Sequence, residues 1–177
     1  LRTFILTTAL LLPMAAFAAG SSDNTPPKPT ETTKVCGNHK IWDQKTKTCV
    51  DARDSRLDDD TRYNAVRELA YAGEYNGALY TLAAMSDQSE SRVLTYYGFT
   101  HRKVGRTDVG MQYYEAALKA DPDNLLARSY MGQGLVDAGK IEAARAQLVE
   151  IEARGGQNSW PETALRQAIE TGKTDSY

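Results

Sequence analysis

Cysteine, histidine and any excess of one charge are what this sequence has least of. Two cysteines are too few for a disulfide-dense mini-protein or a four-thiolate zinc site. Two histidines leave little material for catalysis or metal binding. With 21 Lys+Arg against 23 Asp+Glu, the formal net charge is −2. That lacks the basic excess of a nucleic-acid binder and the acidic excess of a solvating disordered chain. The long apolar run, Phe4 to Met14, is shorter than the about 20 residues a spanning helix needs, contains Pro13, and precedes no stop-transfer pattern. What is present is a chain of 177 residues, 41% hydrophobic and 25% charged, the balance of a globular protein of about one domain.

Those averages merge unlike parts. Leu1-Arg2-Thr3, the apolar run and Ala16-Phe17-Ala18 form the short basic region, hydrophobic region and A-x-A site of a secretory signal peptide. Residues 1–18 are therefore expected to be cleaved, leaving a mature form without a transmembrane segment. Export to the periplasm is the first expectation and secretion the second.

Residues 19–34 hold Pro26, Pro27 and Pro29 among small polar residues, with no aromatic and no aliphatic side chain larger than Ala. Nothing there offsets the entropy of ordering the backbone, so a disordered tether is expected, with a proline-rich partner motif as the sharper alternative.

In residues 35–56, Cys36 and Cys49 flank a polar stretch bordered by Ile41-Trp42 and Thr48-Cys49-Val50. In an oxidising compartment the two thiols are expected to pair and close a small hairpin. Closing that loop contributes roughly 3 kcal/mol in the chain-entropy model. A zinc site from Cys36, His39 and Cys49 lacks a fourth nearby ligand. Lys40, Lys45 and Lys47 beside Trp42 suggest either a solvated face or contact with an anionic glycan or lipid head group.

From residue 57 to 177 the pattern is helical and repeats. Gly73, Gly105 and Gly139 superpose at offsets of 32 and 34 residues. Five places on stand Ala78, Gly110 and Ala144, and nine places on stand Leu82, Tyr114 and Leu148. Small residues there, and at Gly98 and Gly132, let paired helices approach closely, while the glycines supply the positive φ of a helix end. Ser159-Trp160-Pro161-Glu162 is a capping box that opens a last covering helix. Asp58-Asp59-Asp60 places negative charge at the first helix N-terminus.

The registered copies resemble the tetratricopeptide repeat, a pair of antiparallel helices. Repeats fall at about 59–90, 91–124 and 125–158, followed by a capping helix at about 159–172. The second is the fullest match, with Tyr97-Gly98, Gly110, Tyr114, Ala117 and Pro122 at the family's places. Arg62 and Arg128 stand where the family has an aromatic, which predicts weaker packing at both. The resemblance implies an all-α fold: a right-handed superhelical stack of about three helix pairs and a capping helix, preceded by the disulfide-closed hairpin. It also implies an exported bacterial scaffold whose first helices line a concave groove for a peptide or protein partner.

Carried onto this sequence, the groove places are Tyr63, Asn64, Arg67 and Tyr71 in repeat one, and Arg92, Thr95, Tyr96, Phe99, Arg102 and Lys103 in repeat two. Repeat three supplies Ser129, Tyr130, Gln133 and Asp137. The partner-binding set is Asn64, Arg67, Tyr71, Arg92, Tyr96, Phe99, Arg102, Tyr130 and Gln133. Some of these tyrosines are expected to pack between repeats instead. No nucleophile–base arrangement, metal-ligand spacing or phosphate loop is legible, so no enzyme, cofactor or metal is predicted. Two other readings are an envelope-glycan or membrane-surface binder acting through the Trp42 hairpin, and a structural protein that self-associates as a homo-oligomer.

Overall fold

The computed structural model describes residues 25–37 and 39–174. The expected signal peptide and the first part of the expected tether lie outside the described residues. Among the described residues the chain is mostly helical, with eight helices and one two-stranded hairpin.

The hairpin pairs β1 (Lys40–Asp43) with β2 (Thr48–Asp51) in antiparallel register, Ile41 opposite Val50 and Trp42 opposite Cys49. Its turn is held by Asp43, whose carboxylate accepts from the Lys45 backbone and the Thr46 hydroxyl. Lys47 turns the chain at φ 54°. Cys36 and Cys49 form the disulfide, tying β2 to the chain just after α1 (Glu31–Lys34).

Beyond the hairpin come α2 (Asp59–Tyr71) with α3 (Tyr75–Leu82), α4 (Ser91–Lys103) with α5 (Thr107–Ala120), α6 (Leu125–Asp137) with α7 (Ile141–Ala153), and then α8 (Trp160–Thr171). Three of these starts are capped by a side chain. The side chains of Asp58, Asn124 and Ser159 accept from Thr61, Ala127 and Glu162 backbone N–H groups, satisfying donors that no helical carbonyl reaches. Gly73, Gly105 and Gly139 end the first helix of each pair at φ 80°, 84° and 71°, where a side chain would be strained.

Packing within a pair depends on missing side chains. A Cβ on Gly98 would lie 2.5 Å from the Tyr114 ring, and one on Gly110 would lie 2.7 Å from the Gly98 carbonyl. The backbones of α4 and α5 therefore touch directly. Gly132 serves another neighbour: its Cβ would meet Leu165 of α8 at 2.6 Å, so it makes room for the last helix.

Arg62 and Arg128 depart from the weak packing expected of them. Both are buried. Arg62 donates to the Ala52 and Asp54 carbonyls and pairs with Asp59 at 2.9 Å. Arg128 donates to the Pro122 carbonyl through Nε and Nη2. In each case a guanidinium donates to the connector before its helix, to two carbonyls from Arg62 and to one from Arg128, a task that an aromatic ring cannot perform.

The hairpin is not a separate body. Ile41, Ala52 and Leu57 belong to one buried cluster with Tyr63, Val66, Leu69 and Leu82 of the first helix pair. Tyr80 of α3 is stacked on His39 at 4.3 Å, and the Arg53 guanidinium lies 4.3 Å from the same ring. A smaller cluster of Leu148, Ile151 and Leu165 closes the other end under α8.

Candidate functional site

Helical geometry puts residues three, four and seven apart on one stripe. On α2 that stripe is Asn64, Arg67 and Tyr71; on α4 it is Arg92, Tyr96 and Phe99; on α6 it is Tyr130, Gln133 and Asp137. The structure brings the three stripes together through their rings. Tyr63 meets Tyr96 edge-on at 5.6 Å, and Tyr96 meets Tyr130 edge-on at 6.0 Å. Phe99 lies 4.8 Å from Tyr130 and 5.8 Å from Tyr71. The Tyr71 and Tyr130 hydroxyls share a hydrogen bond of 2.7 Å. Trp160 of α8 joins the same cluster, 6.1 Å from Tyr71 and 6.2 Å from Tyr130. Trp160 lies outside the groove places that the repeat pattern implies, because its place in the capping box gives no hint of where the indole points.

The expected partner-binding residues divide by exposure. Tyr96, Phe99, Tyr130 and Gln133 are buried, as are Tyr63, Thr95 and Ser129. Their period is the one sequence reading assigns to a groove, yet here it fills the interior. Gln133 spends its amide on the Ser129 hydroxyl at 3.4 Å. Arg102 is buried against Asp137 at 2.7 Å, with its guanidinium 5.8 Å from the Phe99 ring. Asp137 also accepts from Thr174, which fixes the end of the described chain. Lys103 holds its ammonium 5.9 Å from the same Phe99 ring.

Asn64 is exposed, and Arg67, Tyr71 and Arg92 are half-buried. Arg92 lies 4.8 Å from the Tyr63 ring and pairs with Asp60 at 2.7 Å and with Glu90. These four side chains are the part of the expected set that still presents surface.

The α2 end of this face carries something sequence reasoning missed. The stretch 25–34, expected as disordered tether, lies against α2. Arg67 donates to the Thr25 carbonyl at 2.5 Å. Pro26, Pro27 and Pro29 line an open cleft of about 280 Å³ with Thr33, Glu68, Tyr71 and Ala72. Glu68, only 5% exposed, accepts four hydrogen bonds. They come from the Thr30 backbone at 2.6 Å, its hydroxyl at 2.5 Å, the Thr33 backbone at 3.0 Å and its hydroxyl at 2.5 Å. The only signal for this in the sequence is three prolines in four positions beside two threonines.

The two histidines are both occupied with rings. His101 lies between helices with its ring 5.3 Å from Tyr113 and 6.4 Å from Tyr97, and burial holds its pKa below the ordinary value, helped by Arg106. Among the described residues, no group of three or more His, Cys, Asp or Glu side chains is arranged to hold a metal ion. No helix among them is long and apolar enough to cross a membrane.

Fold and site together define a mostly helical protein with a disulfide-closed hairpin at one end and an aromatic ladder across α2, α4, α6 and α8. The chain matches no protein-family model, no curated protein and no solved structure.

Proposed function

We propose that the chain is an exported adaptor of the tetratricopeptide type, a right-handed superhelical stack whose α2–α4–α6 side holds an extended segment of a peptide or protein partner. The observation that carries this reading is the stretch 25–30 on α2. Arg67 takes a backbone carbonyl of that stretch, and Tyr71 lines the cleft beside its prolines. Extended proline-containing segments present free carbonyls and flat apolar rings, and aromatic-lined grooves are the surfaces that recognise them. A face that receives one such segment has the chemistry to receive another. Asn64 and Arg92 extend that chemistry along the face. The disulfide supports passage into an oxidising compartment, which agrees with the N-terminal apolar run.

The test is site-specific photo-crosslinking in the native cell, with the reactive group at Asn64 in one variant and at Val149 in another. Val149 is 61% exposed on α7. A discrete partner captured from position 64 and not from 149 fits the proposal. Equal capture from both, or capture from 149 alone, contradicts it.

A further inference from the structure

The strap formed by residues 25–33 covers Arg67, Glu68 and Tyr71, three side chains at one end of the face assigned above to a partner. We propose that this strap is a built-in ligand: it occupies the α2 end of the face in cis and must lift before a partner engages that end. The consequence for a partner rests on the groove reading; the strap itself rests on the geometry that follows.

Glu68 is the latch. Its carboxylate is buried, and among the described residues no cation pairs with it. Four hydrogen bonds reach it from Thr30 and Thr33, so its solvation in the closed state is supplied by the strap. A buried carboxylate without such donors would be costly, but water replaces them once the strap lifts. Opening therefore exchanges one set of hydrogen bonds for another and leaves no charge stranded.

Within the strap only Thr32 is buried, its hydroxyl accepting from the Trp42 backbone at 3.2 Å, so opening breaks this one tie to the hairpin and takes little from the core. Residues 25–34 carry no aromatic side chain and no large aliphatic one, and the main buried cluster contains none of them. Segments with few buried apolar contacts are the ones that open independently of global unfolding. Its far end stays anchored. Cys36, two residues past α1, is bonded to Cys49 in β2, and β2 belongs to a hairpin packed into the first helix pair. The disulfide thus acts as the fixed root about which the strap swings.

A fluorescent peptide copying residues 25–34 tests this with the full chain as receptor. Thr30→Ala with Thr33→Ala removes the strap's two side-chain donors and leaves the receptor side untouched. The peptide is expected to bind this strap-weakened chain about tenfold or more tightly than the unmodified chain. That is the factor for a site closed about nine-tenths of the time, since apparent affinity scales with the competent fraction. Adding Glu68→Gln to the strap-weakened chain should abolish the gain, while its helical circular dichroism stays unchanged. Equal affinity for the two chains, no binding to the strap-weakened chain, or binding indifferent to Glu68→Gln would overturn the proposal. A dimer that dissociates on strap weakening would also overturn it, because the strap would then be exchanged between copies. The assay contains no partner. A partner that ignores the α2–α4–α6 side would defeat the groove reading and leave this result standing.

Discussion

The hydroxyl of Tyr71 lies 2.7 Å from the hydroxyl of Tyr130, although the two residues are 59 apart in sequence. One belongs to α2 and the other to α6, so the bond reaches past α4 and joins the first helix pair to the third. Tyr71→Phe and Tyr130→Phe should each cost about 1 kcal/mol, the net worth of one such bond. The double variant should lose less than the two single losses combined, giving a coupling of about 0.5 kcal/mol or more in a double-mutant cycle measured by urea unfolding. Strict additivity would mean that the bond does not hold the two pairs together.

Arg62 and Arg128 perform one task at two places, and the same experiment reads both. Replacing Arg62 by Met keeps an unbranched side chain but leaves the Ala52 and Asp54 carbonyls without their donor, whereas Arg128→Met leaves the Pro122 carbonyl its bond from Arg154 at 3.0 Å. A loss of roughly 2 kcal/mol is expected for Arg62→Met, as for hydrogen bonds to a charged group, and a smaller one for Arg128→Met. Lys should rescue little, because it lacks the planar fork that reaches two acceptors at once. Full stability in Arg62→Met would show that the Ala52 and Asp54 carbonyls find other donors.

The glycines divide sharply. Gly98→Ala and Gly110→Ala drive a methyl into the α4–α5 contact, at 2.5 Å from a ring and 2.7 Å from a backbone carbonyl. Overpacking of this kind costs about 1–3 kcal/mol, and more where the backbone must move. Gly77→Ala places its methyl 3.6 Å from Leu69, an ordinary contact, and sits inside α3. It should stabilise by up to about 1 kcal/mol through helix propensity. Thermal melts of the three variants side by side check both directions.

Acid should weaken the fold in two windows. Burial holds the His101 imidazole below its ordinary value of 6.5, with Arg106 adding to the effect. The unfolded chain therefore takes up that proton first. Stability from this group is complete above 6.5 and declines as pH falls through that value toward the folded pKa. His101→Phe should flatten the decline in unfolding free energy between about pH 7.5 and about pH 5.5. A second decline belongs to carboxylates that accept hydrogen bonds. The Thr46 hydroxyl and Lys45 backbone lower Asp43, the Thr61 side chain and backbone lower Asp58, and the Arg56 guanidinium lowers Asp54 to about 2. Their contribution is present above 3.8 and is lost as pH falls below it. An unchanged slope in His101→Phe would place the first window elsewhere.

Much of this fold was legible because certain residues permit one local conformation. Gly73, Gly105 and Gly139 mark helix ends through a backbone region that side chains avoid, and Ser159 with Glu162 marks a helix start through a local hydrogen bond. The hairpin was legible for a similar reason: Asp43 to Lys47 form a turn within five residues, and two cysteines close it. What depended on distant partners was not legible. The strap looked disordered because its ordering comes from Glu68, which lies 38 residues from Thr30 and 35 from Thr33. Arg62 and Arg128 looked like gaps in an aromatic pattern because their acceptors are carbonyls of connectors, which leave no trace in composition. Tyr96 and Tyr130 fell on groove positions because one helical period serves a groove and an interior equally well. Only three-dimensional packing separates the two, and it leaves Asn64, Arg67, Tyr71 and Arg92 as the side chains with surface to offer.

The most direct test of the account is the affinity of the captured partner segment for the chain with an obstacle placed on that surface. Asn64 is exposed, so Asn64→Trp adds an indole to the α2 stripe without entering the core. Val149→Trp adds the same bulk to the opposite member of a helix pair, on α7. In fluorescence anisotropy with both variants equally folded, at least a tenfold loss, about 1.4 kcal/mol, is expected for Asn64→Trp and no change for Val149→Trp. Unchanged affinity in Asn64→Trp, or a loss confined to Val149→Trp, would contradict it.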